Sequence, residues 1–288
     1  MKVAAIILGC ACFSLLLFGC QGNAPEVGDQ IRVDDRKWEL VWSDEFNGEE
    51  VNLNHWNIAD GPDGLNNDVN YNTPENIYLE DGFLVLRQQR ENKAGFEYTT
   101  GKVNSQNHFT FLYGRIEVRA MPPKGKGLHT AYWLIQEGCS GWAGGDNSNC
   151  IWPPEIDIAE ILGQDTQVFH TTYHAGTSVA KRGKGQLNYS IEDLSEDFHI
   201  YAVEWEPQEI RWYFDGELVF TANDMFVKDV HLPFGITLDT VVGGNWPQAP
   251  DEHTILPAYN RIDYVRVYQD VENPNPATPE LTATPQPE

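Results

Sequence analysis

Glu155-Ile156-Asp157-Ile158-Ala159-Glu160 is the stretch that says most about the fold of this 288-residue sequence. Its alternation of acidic and apolar residues predicts a β-strand, because successive side chains of a strand point to opposite faces. Glu155 and Asp157 then share one face, whereas Glu160 would point to the other. A β-bulge at Ile158-Ala159 would add one residue to the strand and return Glu160 to the face of Glu155. The stretch therefore predicts a strand with three carboxylates on one face.

The flanking residues indicate that this strand belongs to the core. Trp152-Pro153-Pro154 precedes it and Ile161 follows Glu160. In an arbitrary chain, such a triplet is usually a solvated strand face or a calcium site. Close burial of like charges is unfavourable, however, so a buried triplet indicates a function. Glycoside hydrolysis needs one carboxylate as nucleophile and another as acid/base, and a middle carboxylate can keep their pKa values apart.

Composition limits the classes of partner. The net charge of −24 argues against nucleic acids and anionic membrane surfaces, because both would be repelled. The chain is 41% hydrophobic, enough for a sizeable core, and its nine Trp residues provide flat faces that suit either sugar rings or an ordinary core. We expect a neutral polysaccharide as partner, no cofactor for catalysis, and a monomer.

The two ends of the sequence differ from its middle. Residues 1–20 combine Lys2 with an apolar run and read as an export signal. The run ends Leu17-Phe18-Gly19-Cys20, which resembles a bacterial lipoprotein signal and predicts a lipid anchor on Cys20 as the one membrane attachment. Since Phe18 is bulky for that motif, plain secretion is the alternative. We expect a cell-surface or periplasm-facing lipoprotein, with a tether at 21–36, a catalytic domain at 37–270 and a disordered Pro/Thr-rich tail at 271–288.

Two cysteines remain beyond the export signal. Cys139 and Cys150 form an even pair in an exported chain and predict a disulfide. The loop between them contains Trp142 and several glycines. We interpret it either as a holder of sugar-stacking surfaces at one end of the cleft or as a surface loop stapled for stability.

Many short apolar or alternating runs separated by turn residues predict an all-β fold. Asp81-Gly82 and Asp215-Gly216 are typical of hairpin turns. We expect a jelly-roll β-sandwich of two stacked antiparallel sheets with a concave substrate cleft. The predicted strands lie at 83–88, 114–120, 130–135, 156–161, 169–173, 199–205, 209–214, 217–222, 234–242 and 262–268.

Seven motifs in order give the sequence a family resemblance over roughly residues 38–269. They start at Trp42, Tyr113, Glu155, Tyr201, Trp212, Val242 and Asp263, and read WSDEFNG, YGRIEVRA, EIDIAE, YAVEW, WYFDG, VGGNWP and DYVRVY. The chain resembles the family 16 glycoside hydrolases, most closely the bacterial laminarinase-like endo-β-1,3-glucanases. The resemblance implies a jelly roll and a retaining mechanism, with working carboxyls about 5–5.5 Å apart.

The resemblance also implies residue roles. Glu155 matches the nucleophile, Glu160 the acid/base, and Asp157 the helper that orients the nucleophile. His174 matches a histidine beside the cleavage point, although a buried structural histidine is the plain alternative. Expected sugar-binding residues are Asn67, Lys102, Arg115, Trp133, Trp152, His174, Asn245 and Trp246. Tyr132 is a further candidate sugar platform, whereas Trp205 and Trp212 are expected in the core.

Family members often bind one structural calcium on the convex side. Asp263 matches its side-chain ligand, with Glu45 and the carbonyl of Gly82 as partners. A solvated hairpin acid at Asp263 is an equal alternative.

The sequence departs from the family pattern near the cleft. His129-Thr130 replaces Trp-Pro, Pro154 replaces a glycine before the nucleophile, Lys102 replaces an arginine, and 67–71 is also altered. These departures leave the chemistry intact and the exact polysaccharide open. A β-1,3-glucanase or mixed β-1,3/1,4-glucanase is the favoured function. A β-galactanase of the agarase or carrageenase type, or a non-catalytic sugar-binding module, is the alternative.

Overall fold

A computed structural model describes residues 24–62, 64, 69–141, 145–177, 180–190 and 192–272. Strands dominate these residues, because short branched and aromatic runs alternate with Gly, Asp and Asn turns. The strands are β1 (Gln30–Val33), β2 (Arg36–Asp44), β3 (Asn57–Ile58), β4 (Gly61–Pro62), β5 (Asn70–Asn72), β6 (Ile77–Glu80), β7 (Phe83–Lys93), β8 (Phe96–Thr100), β9 (Lys102–Asn104), β10 (Gly114–Met121), β11 (Leu128–Gln136), β12 (Glu155–Leu162), β13 (Val168–Thr177), β14 (Ala180–Tyr189), β15 (His199–Trp205), β16 (Ile210–Phe214), β17 (Glu217–Ala222), β18 (Phe234–Val242) and β19 (Ala258–Asp270). Two short 3₁₀ helices lie at Pro74–Asn76 and Val227–Asp229.

The strands form two sheets. The catalytic sheet has the order β14-β13-β12-β11-β18-β9-β3. The backing sheet runs β17-β16-β15-β10-β19-β7-β8-β5-β4, with β2 on β19, β1 on β2 and β6 on β7. The jelly-roll sandwich is thus confirmed, with one exception to its antiparallel pairing, because β5 and β8 pair in parallel.

The core fills the space between the sheets. Ile156 and Ile161 of β12, Val118 of β10 and Val203 of β15 belong to one buried cluster. Trp205 and Trp212 lie in the same cluster, as predicted. Tyr132 is also fully buried and donates a hydrogen bond to Asn260, so its prediction as a sugar platform is wrong.

Both predicted hairpin turns are confirmed. Asp81 and Gly82 have positive φ angles and connect β6 to β7, and Asp215 and Gly216 do the same between β16 and β17. Two consecutive residues with positive φ suit the twist of the flanking strands, which explains the Asp-Gly pairs.

The ten predicted strands are confirmed as β7, β10–β13 and β15–β19, whereas β1–β6, β8, β9 and β14 were not predicted. Gln30–Val33 lies in the predicted tether but pairs with β2 as β1, because its alternating residues place Ile31 and Val33 against Trp38 and Leu40. The strand β14 escaped prediction because Ala180–Tyr189 is basic, glycine-rich and exposed, as an unpaired sheet edge often is.

Within the described residues, no helix has both the length and the apolar character that crossing a membrane requires. The predicted export signal at 1–20, with Cys20, lies outside the described residues, as does the predicted tail from residue 273 onward.

Candidate active site

The acidic strand β12 contains the predicted bulge. Opposite it on β11, Tyr132 pairs with Ala159 and the next residue, Trp133, pairs with Asp157, so Ile158 has no partner there. The pairing with β13 shifts between Asp157 and Glu160 as well. The extra residue brings Glu155, Asp157 and Glu160 to one face, while the isoleucines between them pack into the core.

Glu155 lies at the start of β12, directly opposite His174 of β13. The indole Nε1 of Trp152 donates a 2.9 Å hydrogen bond to Glu155 Oε2, and His174 Nε2 lies 3.5 Å from Oε1. Burial, followed by the charge of Asp157, raises the pKa of Glu155 well above its usual range, against the opposing effect of His174 and Trp152. The carboxyl group is held by two side chains that both stabilise its ionised form.

Asp157 is the most buried of the three acids, with 4% of its surface exposed. A carboxylate oxygen of Asp157 lies within 4.8 Å of one of Glu155, and its Oδ2 lies 3.2 Å from His174 Nε2. Burial, followed by the charges of Glu160 and Asp239, raises the pKa of Asp157 well above its usual range. Asp157 thus lies where its charge affects the proton affinity of Glu155.

Glu160 lies at the other end of the acidic stretch, and its neighbours differ from those of Glu155. Its strand partner is His170, on the neighbouring strand β13. His129 Nε2, from β11, lies 3.3 Å from Glu160 Oε1. The ring of Trp246 packs edge-on against both histidines, at centroid distances of 5.2 Å and 4.8 Å, and is 39% exposed. This carboxyl thus borders an accessible indole face.

Lys102 supports the site from beneath rather than from the cleft surface. Its side chain is fully buried, and its Nζ lies 2.9 Å from Asp239 and donates a 3.0 Å hydrogen bond to the carbonyl of Gly141. Trp133 is only 7% exposed, because Gly141 covers the edge of its ring. Lys102 cannot touch sugar in this arrangement, so its prediction as a direct sugar ligand is wrong. It instead links the loop between Cys139 and Cys150 to Asp239 through its two contacts.

The other predicted sugar-binding residues divide into two groups. Trp152, His174 and Trp246 lie beside the acids, and Asn245 is an exposed neighbour of Trp246. The ammonium of Lys181, from β14, covers the Trp152 ring at 3.9 Å from its centroid. Asn67 and Trp142 lie outside the described residues.

Arg115 is wrongly predicted as a sugar ligand. It lies on β10 in the backing sheet with 2% of its surface exposed, and it pairs with Glu117 and Glu204 at 2.8 Å and 3.0 Å. A motif position identifies the strand but not the sheet to which the strand belongs.

The residues proposed for calcium do not fit the ion well. Arg266 binds both carboxylate oxygens of Glu45, at 2.9 Å and 2.8 Å, and Arg119 pairs with Asp263. A cation would have to displace both guanidinium groups, and only carbonyls such as that of Gly82 would remain to compensate. Among the described residues, the acidic group compact enough for a metal is Glu155, Asp157 and His174, which is the catalytic cluster itself.

Cys139 and Cys150 form the predicted disulfide, with Cα atoms 4.5 Å apart. Both belong to an apolar cluster that includes Trp133 and Trp152, so the bridge fixes the loop before β12.

Sequence reasoning missed His129, His170 and Asp239 at this site. The replacement of Trp by His at position 129 was a visible signal, but its position opposite Glu160 depends on the register of β11 and β12. His170 and Asp239 carried no signal of their own.

The sequence and the structure were compared with known proteins. Residues 65–266, more than half of the chain, match the model of glycosyl hydrolases family 16. The chain is 31% identical over 296 residues to a β-glucanase of Rhodothermus marinus, covering 94% of this chain and 98% of that protein. It is also 31% identical over 248 residues to the clotting factor G alpha subunit of Tachypleus tridentatus, covering 83% of this chain but only 35% of that protein.

A solved structure has the same fold. The laminarinase catalytic domain from Thermotoga maritima superposes with a TM-score of 0.70 at 36% identity, over 81% of this chain and 98% of that domain. This chain belongs to glycosyl hydrolases family 16.

Proposed function

We propose that this protein is a retaining endo-β-glucanase that cleaves β-1,3 or mixed β-1,3/1,4 linkages. The observation that carries the proposal is the uncompensated acid triplet on the bulged face of β12. Among the described residues, only histidines approach these carboxylates within ion-pair distance, and no lysine or arginine neutralises them. Family membership and the relatives named above support a β-glucan as the substrate.

The two outer acids have surroundings that suit different roles. Glu155 is held by the Trp152 indole and by His174, so it is oriented to attack the anomeric carbon. Attack forms a glycosyl–enzyme ester while Glu160 gives its proton to the departing glycosidic oxygen. Glu160 then takes a proton from water, the water attacks the anomeric carbon, and Glu155 leaves. Asp157, which lies beside both Glu155 and His174, tunes the proton affinity of the nucleophile through its charge.

The aromatic faces lie where an extended chain would need them. Trp246 is exposed on the Glu160 side, and Trp152 lies on the Glu155 side beneath Lys181. An indole at each side of the cleavage point favours internal cleavage of a polymer that crosses the strands.

Product analysis on several polysaccharides tests the proposal. The purified catalytic domain should release oligosaccharides from laminarin or lichenan and leave agarose and carrageenan intact. Cleavage of agarose or carrageenan alone would instead assign the chain as a β-galactanase. Binding of any of the four without cleavage would make it a sugar-binding module.

We further propose that the protein is exported and anchored through a lipid on Cys20. The support is the Lys2 and apolar pattern of residues 1–20 and the Leu17-Phe18-Gly19-Cys20 sequence. Labelling of the full chain with a radioactive fatty acid in a bacterial host tests this. Label on the natural chain but not on Cys20→Ser is expected, and an unlabelled, secreted natural chain would contradict the anchor.

A further inference from the structure

His129 lies beside the acid/base, but the double displacement described above gives it no role. Its side chain is 12% exposed, and its Nε2 faces Glu160 Oε1 at 3.3 Å. That nitrogen is fully buried and makes no well-directed hydrogen bond with any described residue. A buried polar atom without a partner is unfavourable and rare, so it calls for an explanation.

The surroundings of His129 restrict its movement. Its ring packs against Trp246, and its backbone pairs with Leu162 on one side and Val241 on the other. The imidazole therefore cannot turn away to find another partner without breaking the contact with Trp246. Glu160 is the one carboxylate within ion-pair distance of its Nε2 among the described residues.

His170 completes the group from the other side. It lies on β13 as the strand partner of Glu160, and its ring contacts the same Trp246. Burial, together with nearby His129, lowers the pKa of His170 even though Glu160 opposes the shift. Among the described residues, no nitrogen of His170 lies within ion-pair distance of Glu160, so His129 is the histidine placed to direct the carboxyl.

We propose that His129 is a positioning residue for the acid/base Glu160. In the tautomer with hydrogen on Nε2, His129 donates to Glu160 Oε1 once substrate fills the cleft, and Oε2 then carries the proton toward the glycosidic oxygen. Hydrogen bonds at catalytic groups are often long before substrate binds and tighten in the complex. This inference rests on the proposed function, since it needs Glu160 to act as the acid.

The proposal distinguishes substrates by their leaving groups. A sugar leaving group needs the proton of Glu160 as the glycosidic bond breaks, whereas a dinitrophenolate leaving group does not. A fault in the orientation of Glu160 should therefore slow the cleavage of laminarin but not the first step on 2,4-dinitrophenyl β-laminaribioside.

Paired kinetics on these two substrates test the assignment. His129→Phe keeps the ring against Trp246 but removes the N–H, and we expect kcat/KM on laminarin to fall about tenfold or more. The same variant should stay within about twofold of the natural enzyme on the dinitrophenyl substrate. His129→Gln, which restores an N–H donor, should recover most of the loss on laminarin.

His199 provides a matched control. It is a buried histidine of β15 in the backing sheet, and its Nε2 also lacks a partner. His199→Phe should leave the ratio of the two kcat/KM values unchanged. Equal losses on both substrates for His129→Phe, or no loss on either, would overturn the proposal. Natural enzyme that cleaves neither laminarin nor lichenan would refute the proposed function itself, and this result is separable from the variant ratios.

Discussion

The acids of β12 and the acids around Arg115 lie on opposite outer faces of the sandwich, yet their charges are handled differently. Glu204 on the backing sheet lies within 3.0 Å of Arg115 and 2.7 Å of Arg211, and it accepts a hydrogen bond from Tyr213. Glu155 and Asp157 have only a histidine, an indole and each other. Both clusters are buried, but only the backing cluster is neutralised.

This difference separates stability from chemistry. Paired acids in the backing sheet join β10, β15 and β16 through ion pairs with Arg115 and Arg211. Unpaired acids in the catalytic sheet have raised pKa values, because burial and mutual repulsion disfavour their charge. A retaining glycosidase needs a nucleophile and an acid/base with separate proton affinities, and full compensation of these carboxylates by arginine would remove that property.

The largest expected effect is on catalysis at Glu155. Glu155→Ser should reduce the hydrolysis of laminarin by more than about a thousandfold, beyond the usual range for losing one proton-transfer group. Its melting temperature should not fall, because an unfavourable buried charge is lost. Added azide should restore turnover and yield a glycosyl azide of inverted configuration. Residual activity near the natural level would contradict the role of Glu155 as nucleophile.

The backing cluster should respond in the opposite way. Glu204→Leu leaves the buried Arg115 and the partly buried Arg211 without their shared carboxylate, and breaking a buried pair destabilises a fold by about 3 kcal/mol or more. Urea unfolding should show this loss, while kcat on laminarin at low temperature stays near the natural value. A stable variant with impaired kcat would place Glu204 in the catalytic machinery and break the comparison.

Asp157→Asn should raise stability while lowering activity. Because the folded-state pKa of Asp157 is raised, the folded state binds more protons than the unfolded chain above pH about 4, and its stability falls as pH rises from there. The amide removes this penalty, so the gap in melting temperature between variant and natural enzyme should widen with rising pH. A gap that is constant from pH 4 to pH 8 would show that Asp157 carries no such penalty.

Trp246→Ala should give the smallest effect. Its partly exposed ring contacts His129 and His170 but no core residue cluster. Loss of one sugar-stacking face of about 1 kcal/mol should raise KM for laminarin about fivefold with little change in melting temperature. Michaelis–Menten kinetics check this, and an unchanged KM would leave Trp246 a support for the two histidines only.

The sequence pattern was informative where it follows strand alternation. The bulge at Ile158 was predictable because the spacing of Glu155, Asp157 and Glu160 cannot otherwise place them on one face. The cystine and the Asp-Gly hairpins were predictable for similar local reasons.

Contacts between distant segments were not predictable in this way. Arg115 and Lys102 were both predicted as sugar ligands from their positions in the sequence. The pairing of β10 with β15 places Arg115 in the backing sheet. The pairing of β9 with β18 places Lys102 opposite Asp239, where it is buried. Likewise, the approach of Arg266 to Glu45 and of Arg119 to Asp263 joins strands that are far apart in sequence. A residue pattern specifies a face within a strand, whereas sheet order specifies what that face meets.

Proton NMR of the first products from laminarin tests the central claim most directly. Glu155 and Glu160 acting by double displacement predict that new reducing ends appear first as the β-anomer, with the α-anomer growing in later by mutarotation. Initial appearance of the α-anomer would show single displacement by water. It would contradict the assignment of Glu155 as a nucleophile that forms a covalent intermediate.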